Sequence, residues 1–353
     1  MTTIASLALA ILAATGSGTD TTMSVPQGTR LELENFSGEI VVETWTRNAV
    51  RVQAAHARRT EVDLDLDGPV LSVSARGHMG VPATVDYQLT VPAWMALELS
   101  GIGTDVTVRG AKGGVEIETI KGDVSIEGGS GRVNATSIEG SVHVESASGS
   151  IEVSSVNEGV WLSGVTGPIT ASSVNGHVVI TSMQSTTVEA STVNGTVVLT
   201  GALRPDGTYH LSSHNGDLMV GIAEKASVTV SVSTYQGELR TGFPVTLEDS
   251  RKSRRYRFTL GKGEARLELE TFQGTVLVDR PGVIDREADG LRQEAGYTRS
   301  HSSSSSSSYG KSKSTSSSTS TSKSTSKSKS KSKGGEEDDT DEDEHDDDHE
   351  HEE

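Results

Sequence analysis

Three histidines, His345, His349 and His351, stand among Asp and Glu near the end of the chain. Imidazole with carboxylate suits Zn²⁺, Ni²⁺ or Cu²⁺, and carboxylate alone suits Ca²⁺. Nothing around these residues presets a coordination geometry, so they are weak metal candidates and no cofactor is expected. A second set of carboxylates, Glu39, Asp105, Asp123, Asp217 and Glu238, follows closely behind glycines. Stacked along one edge they could hold a cation; as solvated corner residues they need no ligand. Asn157, Asn175, Asn194 and Asn215 are separated by 18, 19 and 21 residues. That spacing predicts a side-chain amide ladder with a structural role. Serine is abundant, but no serine lies in a Gly-x-Ser-x-Gly phrase between a strand and a helix. The glycines lead into strands, not helices, which excludes a phosphate-cradling loop. These residues predict a protein that is not an enzyme, with no catalytic residue to assign.

What must position them is a repeat. The phrase apolar–polar–Gly–polar–apolar–x–apolar appears as Ile120–Ile126, Ile138–Val144, Val174–Ile180 and Val193–Leu199. Its period is about eighteen residues, and a weaker Ser/Thr–Gly phrase alternates with it at 130, 148 and 166. Apolar and polar residues alternate within each unit, which is the strand period. Units this short bury no face alone and must stack on their neighbours. The predicted fold is all-β: a parallel β-solenoid, β-helix-like, with longer-strand capping segments at both ends. Gly122, Gly140, Gly176, Gly195 and Gly216, with Asn175, Asn194 and Asn215, are assigned to its turns, where Gly and Asn reach positive φ at low cost. Aromatics make up 4% of the chain, in keeping with a narrow core.

The flanks extend this body. Phe36–Val42 is an early copy of the phrase, and Val50–Ala54, Val62–Leu66, Val70–Ser74, Val85–Val91 and Met95–Leu99 alternate as strands. Later copies begin at His214, Tyr235 and Phe272. Arg254–Leu260, a Gly-Lys-Gly turn and Ala265–Glu270 read as a hairpin. The basic run Arg251–Arg257 reads as the charged face of an edge strand and not as a nucleic-acid site.

The 353 residues divide into four segments. Ile4–Ala14 is an apolar run of signal-peptide length, too short to span a bilayer, so residues 1–18 are read as a signal peptide. Residues 24–283 are the repeat domain. Residues 284–333, a Ser/Lys-rich linker, and the acidic tail 334–353, with 14 Asp or Glu, read as disordered, and within the linker Ser302–Lys333 has no apolar side chain to bury apart from Tyr309. No other stretch could cross a membrane as a helix. The absence of cysteine excludes disulfides and a thiol nucleophile. Trp45, Trp94 and Trp161 lie far apart in sequence, which argues against the aromatic-lined groove of a carbohydrate-active enzyme.

The Gly-Asp-Val-x-Ile and Val-Asn-Gly-x-Val-x-Ile phrases, the Phe36–Ile40 strand and the closing run 267–276 together resemble the exported bacterial adhesin-like β-strand-repeat family. The resemblance covers roughly residues 28–280 and transfers no catalytic residue. It implies a β-solenoid-like domain in a bacterial cell envelope, in the periplasm or at the surface. The expected function is therefore a non-enzymatic envelope scaffold or adhesion-type binding protein, with a protein or an envelope polysaccharide as partner. The alternative is an accessory envelope-stress factor that binds a membrane protein. The long charged tail lies outside the family pattern.

Overall fold

The computed structural model describes residues 18–77, 83–245, 248–250 and 254–296. The expectations for residues 1–17, for the Ser/Lys and acidic segments beyond 296, and for His345, His349 and His351 lie outside these residues. The described chain is all-β apart from one helix, and its strands form one large, mostly parallel sheet of 23. In order they are β1 (Gly18–Ser24), β2 (Arg30–Trp45), β3 (Ala49–His56), β4 (Glu61–Asp67), β5 (Val70–Arg76), β6 (Val85–Pro92), β7 (Ala96–Ala111) and β8 (Val115–Lys121). There follow β9 (Val124–Gly128), β10 (Ser130–Glu139), β11 (Val142–Glu145), β12 (Ser148–Ser155), β13 (Val160–Ser163), β14 (Ile169–Ser173), β15 (Val178–Asn194) and β16 (Val197–Asn215). The last are β17 (Leu218–Gly221), β18 (Val228–Gln236), β19 (Leu239–Thr241), β20 (Glu248–Ser250), β21 (Arg255–Leu260), β22 (Ala265–Gln273) and β23 (Val276–Asp279), then helix α1 (Pro281–Glu294).

Each repeat unit supplies one strand to each of two parallel ladders. In the first ladder Val115 faces Val133, which faces Ile151, which faces Ile169, each 18 residues on. In the second, Val124, Val142, Val160 and Val178 align likewise. The inward residues of both ladders join a single hydrophobic cluster.

One corner explains the repeat phrase. A buried Ser or Thr precedes its apolar residue, and its hydroxyl donates to a backbone carbonyl in the neighbouring unit. Ser137 donates to Gly122 O at 2.9 Å, Ser155 to Gly140 O at 2.8 Å, Thr192 to Gly176 O at 2.8 Å and Ser213 to Gly195 O at 2.9 Å. The accepting glycines are needed for space. A Cβ on Gly140, Gly195 or Gly216 would lie 2.0, 2.2 or 1.8 Å from the carbonyl oxygen of the unit below. The positive-φ reading is thus corrected at this corner: of the assigned turn glycines only Gly122, at +143°, has that conformation. Asn175, Asn194 and Asn215 do not have it either. Thr104 and Glu158 hold the glycine place in two units.

Antiparallel strands close both ends. β4 pairs with β5 and β3 with β6, while β1 pairs with β3; at the far end β21 pairs with β18 and β20 with β21. The outermost β4 carries Glu61, Asp63, Asp65 and Asp67, whose like charges discourage another chain from adding to that edge. Strand structure is present ahead of the expected 24: polar β1 pairs along β3, and Asp20 bridges Arg51 at 2.6 Å. The inward positions of β1 are Thr19, Thr21 and Met23, so hydrophobic patterning does not reveal it.

Two further expectations are corrected. β21 and β22 are not a hairpin: β18 lies between them, antiparallel to β21 and parallel to β22. β22 in turn pairs with β16, and β23 with β17 and β19. The last unit in sequence is therefore inserted between the units of 208–221 and 228–241. Its two strands match both neighbours, whereas β19 has only three residues and suits an end position.

The chain also remains folded past 283. The outward residue in the second ladder is apolar in successive units, at Trp161, Val179, Val198, Met219 and Leu277, and α1 lays Ile284, Ala288 and Leu291 over it. Asp285 accepts from Thr200 Oγ1 at 2.8 Å, and Arg292 donates to Thr181 Oγ1 at 3.1 Å. Among the described residues no helix is long and apolar enough to cross a membrane.

The corner geometry makes Gly216→Ala destabilising by on the order of 2–3 kcal/mol, since backbone must move to admit the methyl. Denaturant unfolding checks this, with Gly282→Ala, where a Cβ meets nothing within 4 Å, as the comparison.

Candidate binding groove

Registry turns single positions of the repeat into columns along the corner. Outside the buried hydroxyls stand the exposed apolar residues Phe36, Ile102, Ile120, Ile138, Val174 and Val193. Beside them the amides link directly: Asn175 Nδ2 donates to Asn157 Oδ1 at 3.2 Å, Asn194 to Asn175 at 3.0 Å and Asn215 to Asn194 at 2.9 Å. Gln273 donates to Gln236 at 3.2 Å one step further on. On the other side a column of half-buried hydroxyls, Thr136, Ser154, Ser172, Ser191 and Ser212, faces outward from the first ladder. From Asn157 to Asn215 the three columns form an uncharged strip on a chain of net charge −18, while in the units before it Lys121 and Glu139, bridged at 2.6 Å, stand in the amide column.

At its C-terminal end the apolar column becomes aromatic. His214, Phe272 and Tyr235 stack face to face with centroids 4.8 and 4.7 Å apart. Phe272 is 38% and Tyr235 58% exposed, unusual for rings in so aromatic-poor a chain. Arg254, at a φ of +51°, carries its guanidinium 5.7 Å from the Tyr235 centroid. A left-handed backbone at an arginine is strained by roughly 1 kcal/mol or more, which the surrounding structure must offset. These groups border a groove of about 670 Å³, shared with Ser191, Ser212, Ser233, Arg255 and Glu270.

The groove continues along β18. Its outward Thr229, Ser231 and Ser233 are short and lie between longer residues: Arg255 and Arg257 on β21, and Arg266, Glu268 and Glu270 on β22. Short side chains between long ones make a trough with a hydroxyl floor, and a further 350 Å³ opens beside Thr229, Arg257 and Arg266. Arg255 and Arg257, from the basic run read in sequence as an edge face, thus form one wall.

The carboxylates that follow glycines are mostly structural. Asp105 accepts from the backbone N–H of Asp123 at 2.9 Å, Asp123 from that of Ser141 at 2.7 Å and Asp217 from that of Thr275 at 2.6 Å. Glu238 pairs with Arg240 at 3.2 Å. Among the described residues no group of three metal-ligating side chains forms.

One Ser–His–Asp constellation exists at Asp123, Ser141 and His143. Ser141 Oγ donates to Asp123 at 2.8 Å and lies 2.9 Å from His143 Nε2. With the serine proton given to the carboxylate, the imidazole must be the donor and is not placed to act as a base toward this serine. His143 also stacks on Trp161, with centroids 6.2 Å apart, and Arg292 lies 6.0 Å over the same ring. Burial pushes the imidazole down to about 4, Asp123 opposing and Arg292 adding to the shift.

The groove joins residues that stand far apart along the chain, from Ser173 to Phe272, and no local pattern associates them. A signal was present: His214, Tyr235 and Phe272 hold the place that Ile or Val holds in earlier phrases.

No family model and no curated protein matches the chain. Among solved structures it is similar to a "putative cell adhesion protein" from Clostridium sporogenes ATCC 15579, at 10% identity over 74% of this chain and 99% of that one, with a TM-score of 0.20. It is also similar to a "putative adhesin" from Parabacteroides distasonis ATCC 8503, at 10% identity over 75% and 98%, with a TM-score of 0.28. Likenesses at these TM-scores carry no argument about function.

Asn175→Ala removes one donated and one accepted amide bond, and a loss of about 1 kcal/mol is expected; an unchanged melting temperature would show the amide ladder to be energetically idle. His143 contributes a pH dependence. Its native form binds a proton less readily than the unfolded chain, so its stabilisation is full above about pH 6.5 and fades as pH falls toward about 4. Denaturant midpoints across that window should fall in the native chain and fall less in His143→Phe.

Proposed function

We propose that this chain is a non-enzymatic, adhesion-type binding scaffold of a bacterial cell envelope, built as a two-faced β-solenoid. The parallel ladders in eighteen-residue register, closed by antiparallel strands at both ends, support the solenoid reading. Export rests on the Ile4–Ala14 run and on the resemblance of the repeat phrases to an exported family. The observation that carries the binding reading is the uncharged strip of hydroxyl, apolar and amide columns running into an aromatic-bordered groove. Such a strip offers hydrogen bonds and apolar contact with little charge to desolvate. Exposed apolar surface that is continuous, not scattered, marks a contact site. A regular stack also holds identical groups about 4.8 Å apart, the spacing of neighbouring strands, and so suits an extended, repetitive partner.

The test is cosedimentation of the full chain with insoluble envelope polysaccharide and, separately, with envelope protein. The native chain is expected to partition with one of them. Ile138→Glu, Val174→Glu and Val193→Glu combined should weaken that retention about tenfold or more, since each charge must be desolvated at the contact. Equal retention of the native and triply substituted chains, both folded by circular dichroism, counts against the strip as the contact surface.

A further inference from the structure

We infer that the trough along β18 binds an acidic polysaccharide of the uronic-acid class. This inference rests on the binding reading above and names the ligand of one part of that surface. The floor is three hydroxyls, Thr229, Ser231 and Ser233, at every second residue of one strand. Along an extended strand this places them roughly 6.8 Å apart. One wall presents Arg255 and Arg257, and the other presents Arg266 with Glu268 and Glu270. Tyr235 and Phe272 border the end at which Arg254 is held over the outer ring.

The mixture of groups selects the ligand. Arginine forks match carboxylates and form the stronger, charge-assisted hydrogen bonds. Glu268 and Glu270 accept hydrogen bonds and repel anions, so the ligand must also offer hydroxyl donors beside its charges. A polymer that alternates carboxylates with hydroxyls meets both conditions. A polyanion without hydroxyls, such as an acidic peptide, gains from the arginines but is opposed by the two glutamates. A neutral glycan leaves the arginines unused. The exposed edges of Tyr235 and Phe272 give the apolar sides of sugar rings a contact. The position is also distinctive: the arginines concentrate here on a chain whose net charge is −18.

The experiment is titration calorimetry of the full-length protein with alginate oligomers, a uronate probe, alongside neutral dextran oligomers and poly-glutamate. Alginate is expected to bind with an affinity that falls as salt rises, and both comparators should bind at least tenfold more weakly. Arg255→Glu with Arg257→Glu should lower alginate affinity by about a hundredfold, roughly tenfold for each arginine replaced. Ser231→Phe, which fills the floor and keeps every charge, should abolish binding. Arg132→Glu, on a distant unit, should change nothing; circular dichroism and tryptophan emission verify folding of each variant. Alginate binding that survives both trough changes, or poly-glutamate binding as tight as alginate, overturns the assignment. Native chain that is retained by envelope polysaccharide yet ignores alginate overturns the trough's ligand and leaves the scaffold reading standing. Native chain retained by neither envelope fraction and inert to alginate overturns both.

Discussion

The structure depends on how closely the backbones of adjacent units approach at one corner. Gly140, Gly195 and Gly216 have a neighbouring carbonyl oxygen about where a Cβ would be, and the hydroxyl of a buried Ser or Thr satisfies that carbonyl. Remove the space and the units separate. Remove the hydroxyl and a buried acceptor is left unpaired, at a cost of about 1–3 kcal/mol. Both requirements are met by the two residue types that give the phrase its signature. The phrase is a stacking rule, and its regularity is a consequence of one contact made many times.

Once the units stack in register, every position of the phrase becomes a column. Inward columns merge into the core. The outward ones decide the surface, and their chemistry changes along the stack while their geometry does not. The apolar column passes from Ile and Val into His214, Phe272 and Tyr235. The outer column of the second ladder passes from Ser125 and His143 to Trp161, Val179 and Val198, and there α1 covers it. The same fold thus yields an open strip on one side and a dry seam under a helix on another. Where the parallel pairing ends, antiparallel strands take over the edges, and the far end carries the arginines of the trough.

Strand content, the eighteen-residue unit and the stacking partners of residues 115–200 were legible in the sequence, because a period-two pattern and a fixed spacing leave few alternatives. The asparagine ladder was legible for the same reason. Three features were not. β1 turns Thr19, Thr21 and Met23 inward, so a single apolar residue is all the hydrophobic signal it carries. α1 has few apolar residues and two glycines, Gly282 and Gly290, within it, and its stability comes from the seam it covers and little from its own propensity. The groove needs Tyr235 and Phe272 side by side, and nothing local says that a later unit inserts before an earlier one.

The amino-acid order alone determined what each unit is: short strands of period two, a corner that must be glycine or closely accommodated, and an inward column of aliphatic and hydroxyl residues. Those are local facts, set by side-chain period and backbone space. The tertiary structure decided the order of the last two units, the docking of α1 and the assembly of the trough. These depend on which edge is complementary in both ladders at once, and on which outward columns become apolar only when the units are stacked. Long-range pairing is chosen by the free energy of whole edges, and a single stretch of sequence does not contain that comparison.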